Sequence, residues 1–145
     1  QPLRLPAKEK EIDIQFDSEK PLNVYADKDM INLVVRNLVS NAIKFTPANG
    51  KILITVKDNK NHVRVSVKDT GVGISAENQK RLFKEFYSSN GTSNESGTGL
   101  GLMLCKEFLA KNGGNIELQS AEGEGSTFSF TLPTADVKEK ALSIY

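Results

Sequence analysis

Asp27-Lys-Asp-Met-Ile31-Asn-Leu-Val34-Val35-Arg-Asn37-Leu38-Val-Ser-Asn41-Ala42-Ile-Lys44-Phe45-Thr46 carries one sustained period. Its apolar residues Ile31, Val34, Val35, Leu38, Ala42 and Phe45 recur at steps of three and four, which is helical spacing. Asp27 is placed to cap the start, and Thr46-Pro47 with Asn49-Gly50 ends the helix. At about 100° per residue, with Asn41 at zero, Asn37 falls near about −40° and Lys44 near about −60°. The apolar side chains run from about +20° to about +120° on the same wheel. Two asparagines and a lysine therefore form a stripe along the border of the buried face. Amide oxygens are hard ligands that suit Mg²⁺, which takes its other ligands from water and phosphate. A lysine beside them can neutralise phosphate charge. Taken alone, the stripe reads equally as a solvated polar face.

Around this helix the chain alternates. Ile12, Ile14 and Phe16 alternate with polar residues, a strand signal, and Val24-Tyr25-Ala26 reads as a second short strand. Beyond the helix, residues 51–57 and 63–69 read as strands of a hairpin around a polar Asp58-Asn59-Lys60-Asn61 turn. A short helix is expected over 75–86 and another over 99–111, stopped by Gly113-Gly114. The intervening 87–97 is rich in Ser, Asn and Gly and has almost nothing to bury. Two last strands, 115–120 and 127–132, flank Glu122-Gly123-Glu124-Gly125. The order predicts a sandwich: one mixed sheet with helices on one face. The charged tail from Asp136 reads as a linker or helix start.

Bulk properties narrow the class. At 145 residues, 38% hydrophobic and 26% charged, the chain fits one ordinary globular domain with its own core. A net charge of +1 with interspersed signs offers no charged face for nucleic acid. No apolar run reaches the roughly 20 residues of a membrane span. The lack of a starting Met suggests a piece of something longer. One cysteine, Cys105, excludes an internal disulfide, and one Cys with one His makes neither a zinc cluster nor a catalytic pair.

Three glycine clusters complete the list of candidates. Asp69-Thr70-Gly71-Val72-Gly73-Ile74 stands where a strand ends; a carboxylate held there can accept a hydrogen bond from an exocyclic amine. Gly97-Thr98-Gly99-Leu100-Gly101-Leu102 precedes a helix, where free N–H groups and the helix dipole favour phosphate. It is neither a Walker loop nor a dinucleotide fingerprint. Gly123-Glu124-Gly125-Ser126-Thr127-Phe128 would be a simple turn if it stood alone.

Together, in this order, these segments resemble the sequence boxes of sensor histidine kinases. Asn37 to Thr46 resembles the asparagine box, Asp69 to Ile74 the first glycine box and Leu82-Phe83-Lys84-Glu85-Phe86 the phenylalanine box. Gly97 to Leu102 resembles the second glycine box and Gly123 to Phe128 the last. The resemblance spans residues 15–132. This family shares its nucleotide fold with gyrase, the mismatch-repair ATPases and the heat-shock chaperone ATPases. The expected fold is then an α+β two-layer sandwich of Bergerat type, with a mixed, mostly antiparallel sheet of about five strands on three helices.

The resemblance implies a function as well. ATP and Mg²⁺ are the expected cofactors, with Asn41 the main metal ligand, Asn37 supporting it and Lys44 on phosphate. These three make up the catalytic set. Asp69 would select adenine, with Phe45, Gly71, Gly73, Ile74 and Thr127 around the nucleotide. Gly97, Thr98, Gly99, Leu100, Gly101 and Leu102 would border the triphosphate, and 87–96 would form a lid. Phe83 and Phe86 would anchor that lid or simply fill core. Residues 1–10 would end a linker or helix from a preceding dimerisation domain, 11–134 form the catalytic domain, and 135–145 a tail or linker. The implied reaction is transfer of the γ-phosphate to a histidine on that separate dimerisation domain of the same protein, and onward to a response regulator receiver domain. His62, at a strand start rather than on a helix with an acidic neighbour, does not fit as that acceptor. The isolated domain is expected to be a monomer, its parent a homodimer. The domain would lie in the cytoplasm, with inner-membrane anchorage of the parent one arrangement the family uses.

Rival readings are a serine-kinase domain of anti-sigma type, a degenerate module without catalysis, and a water-using ATPase. The last resembles Glu-x-x-x-Asn, where the glutamate activates water. Asn37 stands at that position and cannot accept a proton, so hydrolysis should be poor and transfer to an external nucleophile favoured.

Overall fold

The computed structural model describes residues 8, 10–18, 23–24, 26–82, 101–134 and 142–143. Strand β1 (Asp13–Ser18) and the short β2 (Asn23–Val24) lead to helix α1 (Lys28–Phe45). The hairpin β3 (Lys51–Asp58) and β4 (His62–Asp69) follows, then helix α2 (Ala76–Arg81). Helix α3 (Gly101–Lys111), β5 (Asn115–Ala121), β6 (Gly125–Pro133) and β7 (Leu142–Ser143) complete the described chain.

Local signals account for most of these boundaries. Asp27 caps α1 through its carboxylate, which accepts from the Met30 amide at 3.0 Å. Ser75 does the same for α2, accepting from Asn78 at 3.2 Å. Where α1 ends, the buried Thr46 hydroxyl donates to the Ala42 carbonyl at 2.6 Å. Lys10 also reaches this end, its ammonium donating to the carbonyls of Ile43 at 2.9 Å and Lys44 at 3.3 Å. A cation at a helix C-terminus satisfies carbonyls that have no partner within the helix.

The sheet runs β1-β3-β4-β6-β5, with β1 parallel to β3 and every other pair antiparallel. Val63, Val65 and Val67 of β4 stand opposite Leu132, Phe130 and Phe128 of β6, and all six are buried. Ile31, Val34, Leu38, Ala42 and, from α3, Leu102, Cys105 and Leu109 join the same core. The helix wheel is wider than its spacing implied, because Val39 and Ile43 are buried too, while Val35 and Phe45 are half-buried. Helix α1 packs on both α3 and β4, with α3 meeting it at Val34 and Asn37.

The expected mixed sheet with helices is therefore present, in mostly antiparallel form. Within the tail the described residues are Leu142 and Ser143, where β7 pairs antiparallel with β2; just before the tail, Thr134 bridges to Val24. Phe83, Phe86 and the 87–96 loop lie outside the described residues, as does Tyr25.

Candidate functional site

Asp69 is the last residue of β4, on the face that carries Val67 and Val65, and it is only 4% exposed. Its Oδ1 accepts from the Gly71 amide at 2.8 Å and from the Ser126 amide at 3.2 Å. No hydrogen bond or ion pair reaches Oδ2 among the described residues. Burial pushes the carboxyl above its ordinary range, and the two amides only partly offset this. The fold thus holds a desolvated carboxylate by one oxygen and leaves the other for a donor.

The loop after Asp69 is pinned on three sides. The Val72 amide donates to the Phe45 carbonyl at 3.2 Å, which ties the loop to the end of α1. The Gly123 amide donates to the Val72 carbonyl at 2.7 Å, and the Ile74 amide to Ser120 Oγ at 2.8 Å. Gln79 Nε2 donates to the carbonyls of Ile74 and Ser120 at 2.7 and 2.9 Å. Glycine is required by contact at two positions. A Cβ at Gly71 would sit 2.3 Å from the Phe45 carbonyl oxygen and 2.7 Å from Asp69 Oδ1. Gly73 combines φ +74° with an approach of 1.9 Å from a Cβ to the Ala121 carbonyl oxygen.

Helix α1 delivers the other half. Asn37, Asn41, Lys44 and Phe45 are all half-buried. Asn37 Nδ2 donates weakly to Cys105 Sγ at 3.8 Å, and its amide lies 3.4 Å from where a Cβ on Gly101 would be. Cys105 is a packing residue: it is fully buried, its thiol is pushed up to about 11 by that burial, and the Asn37 bond lowers it only in part. The Asn41 side chain makes no hydrogen bond among the described residues. The Lys44 ammonium lies 4.8 Å from the centre of the Phe45 ring. Two amide oxygens and an ammonium on one stripe fit a hydrated Mg²⁺ that shares its ligands with phosphate.

The structure thus joins Phe45 with Gly71 and Val72, and brings Asn37 to Gly101 at the start of α3. Leu102, expected beside the triphosphate, has its side chain in the core at 9% exposure. Gly97, Thr98, Gly99 and Leu100 lie outside the described residues. Thr127 stands apart from Asp69: it pairs with Lys68, on the opposite face of the sheet. Its neighbour Ser126 pairs with Asp69 and is the residue that touches it. Strand alternation carried this signal, since Phe128, Phe130 and Leu132 face the core and Ser126 shares their parity.

Comparison with known proteins identifies the family and the fold. Residues 26–136 match the family of histidine kinase-, DNA gyrase B- and HSP90-like ATPases. The chain belongs to that family. Its relatives include the adaptive-response sensory kinase SasA of Rippkaea orientalis, 38% identical over 128 residues. That match covers 87% of this chain but 33% of the relative, so the chain spans about a third of the length of that kinase. The nucleotide-free catalytic domain of histidine kinase ThkA superposes with a TM-score of 0.79 at 36% identity, covering 91% of this chain and 86% of that one. ThkA in complex with its response regulator TrrA gives 0.73 at 32% identity, with 92% and 37% covered. Full-length ShkA in complex with AMPPNP gives 0.78 at 31% identity, with 97% and 28% covered. No described helix is long and apolar enough to cross a membrane.

Proposed function

We propose that this domain binds Mg-ATP and presents the γ-phosphate to a histidine on a separate phosphoacceptor domain of the same protein, from which it passes to a response regulator. The observation that carries the nucleotide half is Asp69, a buried carboxylate with one oxygen held by two amides and the other without a partner among the described residues. An adenine exocyclic amine is a donor of the size and polarity to complete it. Gly71 and Gly73 fix the loop beside that carboxylate by packing closely on Phe45 and Ala121. Ser126 replaces Thr127 in this set, because Ser126 is the residue on the Asp69 face.

Asn41 would hold Mg²⁺ with Asn37 in support, and Lys44 would meet phosphate. When bound, the metal would neutralise charge on the phosphates. In phosphoryl transfer the protein mainly positions groups and stabilises charge, so the chain's own part is to fix the nucleotide and exclude water. Asn37 has no proton-accepting group to activate a water molecule, which supports transfer over hydrolysis. The phosphoacceptor partner and the receiver domain rest on the kinases that this chain resembles, ThkA with TrrA among them.

Calorimetric titration with a non-hydrolysable ATP analogue, with and without Mg²⁺, and with the GTP analogue as control, tests the proposal. Magnesium-assisted binding that prefers adenine is expected. No binding at millimolar nucleotide would instead favour a degenerate module.

A further inference from the structure

Ser120 lies on β5, directly opposite Ser126 of β6 and on the same face of the sheet as Asp69. Its hydroxyl has three neighbours. It accepts from the Ile74 amide at 2.8 Å, lies 3.0 Å from the Gly125 carbonyl oxygen, and lies 2.8 Å from the Ser126 hydroxyl.

Counting protons fixes their directions. A serine hydroxyl carries one hydrogen and two lone pairs. The Ile74 N–H can only donate, and it takes one lone pair. Two oxygen–oxygen contacts remain, and each needs a hydrogen between its atoms. The Gly125 carbonyl has none to give, so the Ser120 hydrogen must go there. The contact with Ser126 is then bridged by the Ser126 hydrogen, pointing at Ser120. The Ser126 amide hydrogen is already committed to Asp69 Oδ1. Residue 126 has no donor left to offer a ligand.

We propose that Ser120 is a specificity-determining positioning residue. By drawing the Ser126 hydroxyl hydrogen to itself, it leaves the corner beside Asp69 with acceptors alone. Asp69 as a carboxylate accepts only, and Ser126 Oγ now does the same. Such a corner welcomes a base that brings an amino group, as adenine does. It repels a base that brings a carbonyl oxygen to that place, as guanine does. Without Ser120, the Ser126 hydroxyl could turn and donate to that carbonyl, and the discrimination would weaken. The inference rests on the adenine reading of Asp69 given above.

The test compares the affinities of the 145-residue chain for non-hydrolysable ATP and GTP analogues in Mg²⁺. In Ser120→Ala the adenine-to-guanine ratio should fall about tenfold, the scale of one misdirected hydrogen bond. Ser120→Thr, which keeps the hydroxyl on a strand, should hold the ratio within about twofold of the parent. The double variant Ser120→Ala with Ser126→Ala should regain the ratio, since the wandering donor is gone. A purely structural role would weaken both analogues together and leave the ratio alone, and that result overturns the proposal. So does a double variant as unselective as Ser120→Ala. Should Ser120→Ala not fold, Ser120→Cys keeps the volume but accepts hydrogen bonds weakly, with the same expectation and the same overturning result. A parent that binds no ATP analogue removes the adenine reading and this proposal with it. A parent that prefers adenine, with the ratio unmoved in the variants, removes the role of Ser120 alone.

Discussion

Asp69 closes β4 on the helix side of the sheet, and Glu117 stands in the middle of β5 on the other side. Glu117 is exposed and meets Arg64 across the strands at 2.7 Å, a charge with its partner in water. Asp69 is buried, has no cation beside it among the described residues, and is held by backbone amides alone. An unpaired carboxylate in the interior costs stability, a cost that a ligand-binding role would explain. The contrast separates a charge that serves the surface from one that is kept ready for a ligand.

The strongest way to break this contrast is Asp69→Asn. Asparagine keeps an oxygen for the Gly71 and Ser126 amides but puts an NH₂ where an acceptor is needed. Affinity for the ATP analogue should fall by about 1–3 kcal/mol, or roughly 5- to 150-fold. Thermal melting of the free protein should be unchanged or higher, because the desolvated charge is gone. A variant that melts lower and binds normally would make Asp69 a structural residue.

Acid sharpens the same point. The carboxyl of Asp69 titrates above its ordinary value, for reasons of burial. Any stability it contributes is therefore fully present below the unfolded-state pKa and lost as pH rises through the folded one. Nucleotide binding runs the other way, since it needs the ionised form. As pH falls toward the raised value, analogue affinity should decline in the parent and stay flat in Asp69→Asn, as read by titration at several pH values.

The smallest effect is expected at the other carboxylate. Glu117→Gln should change stability by no more than about 0.2–1 kcal/mol, with a weaker effect in high salt, measured by denaturant unfolding. A larger loss would mean that the outer face of the sheet matters more than its exposure implies.

Much of this was legible in the sequence because the signals are local. Asp27 caps a helix whose apolar spacing is plain, and the polar turn at 58–61 joins two strands in a hairpin. What was not legible depends on partners far along the chain. Nothing near Ile14 shows that β1 will lie parallel to β3, and nothing near Leu142 shows that β7 will pair with β2. Val39 and Ile43 fall outside the main apolar arc and yet are buried, while α3 meets the other edge of the helix, at Val34 and Asn37. At the site, the carboxylate and its glycines were readable as a cluster. The choice between Ser126 and Thr127 was not made by the cluster but by strand parity, which the flanking Phe128 and Phe130 reveal once pairing is known.

Lys10, just ahead of β1, acts as a mooring for the end of α1. Its ammonium is moored to the last turn of α1, and the Asn49 amide donates to the Lys10 carbonyl at 2.9 Å, a second line to the same quay. From that turn, the Phe45 carbonyl holds Val72 in the glycine loop. Two bonded steps therefore link Lys10 to the loop beside Asp69.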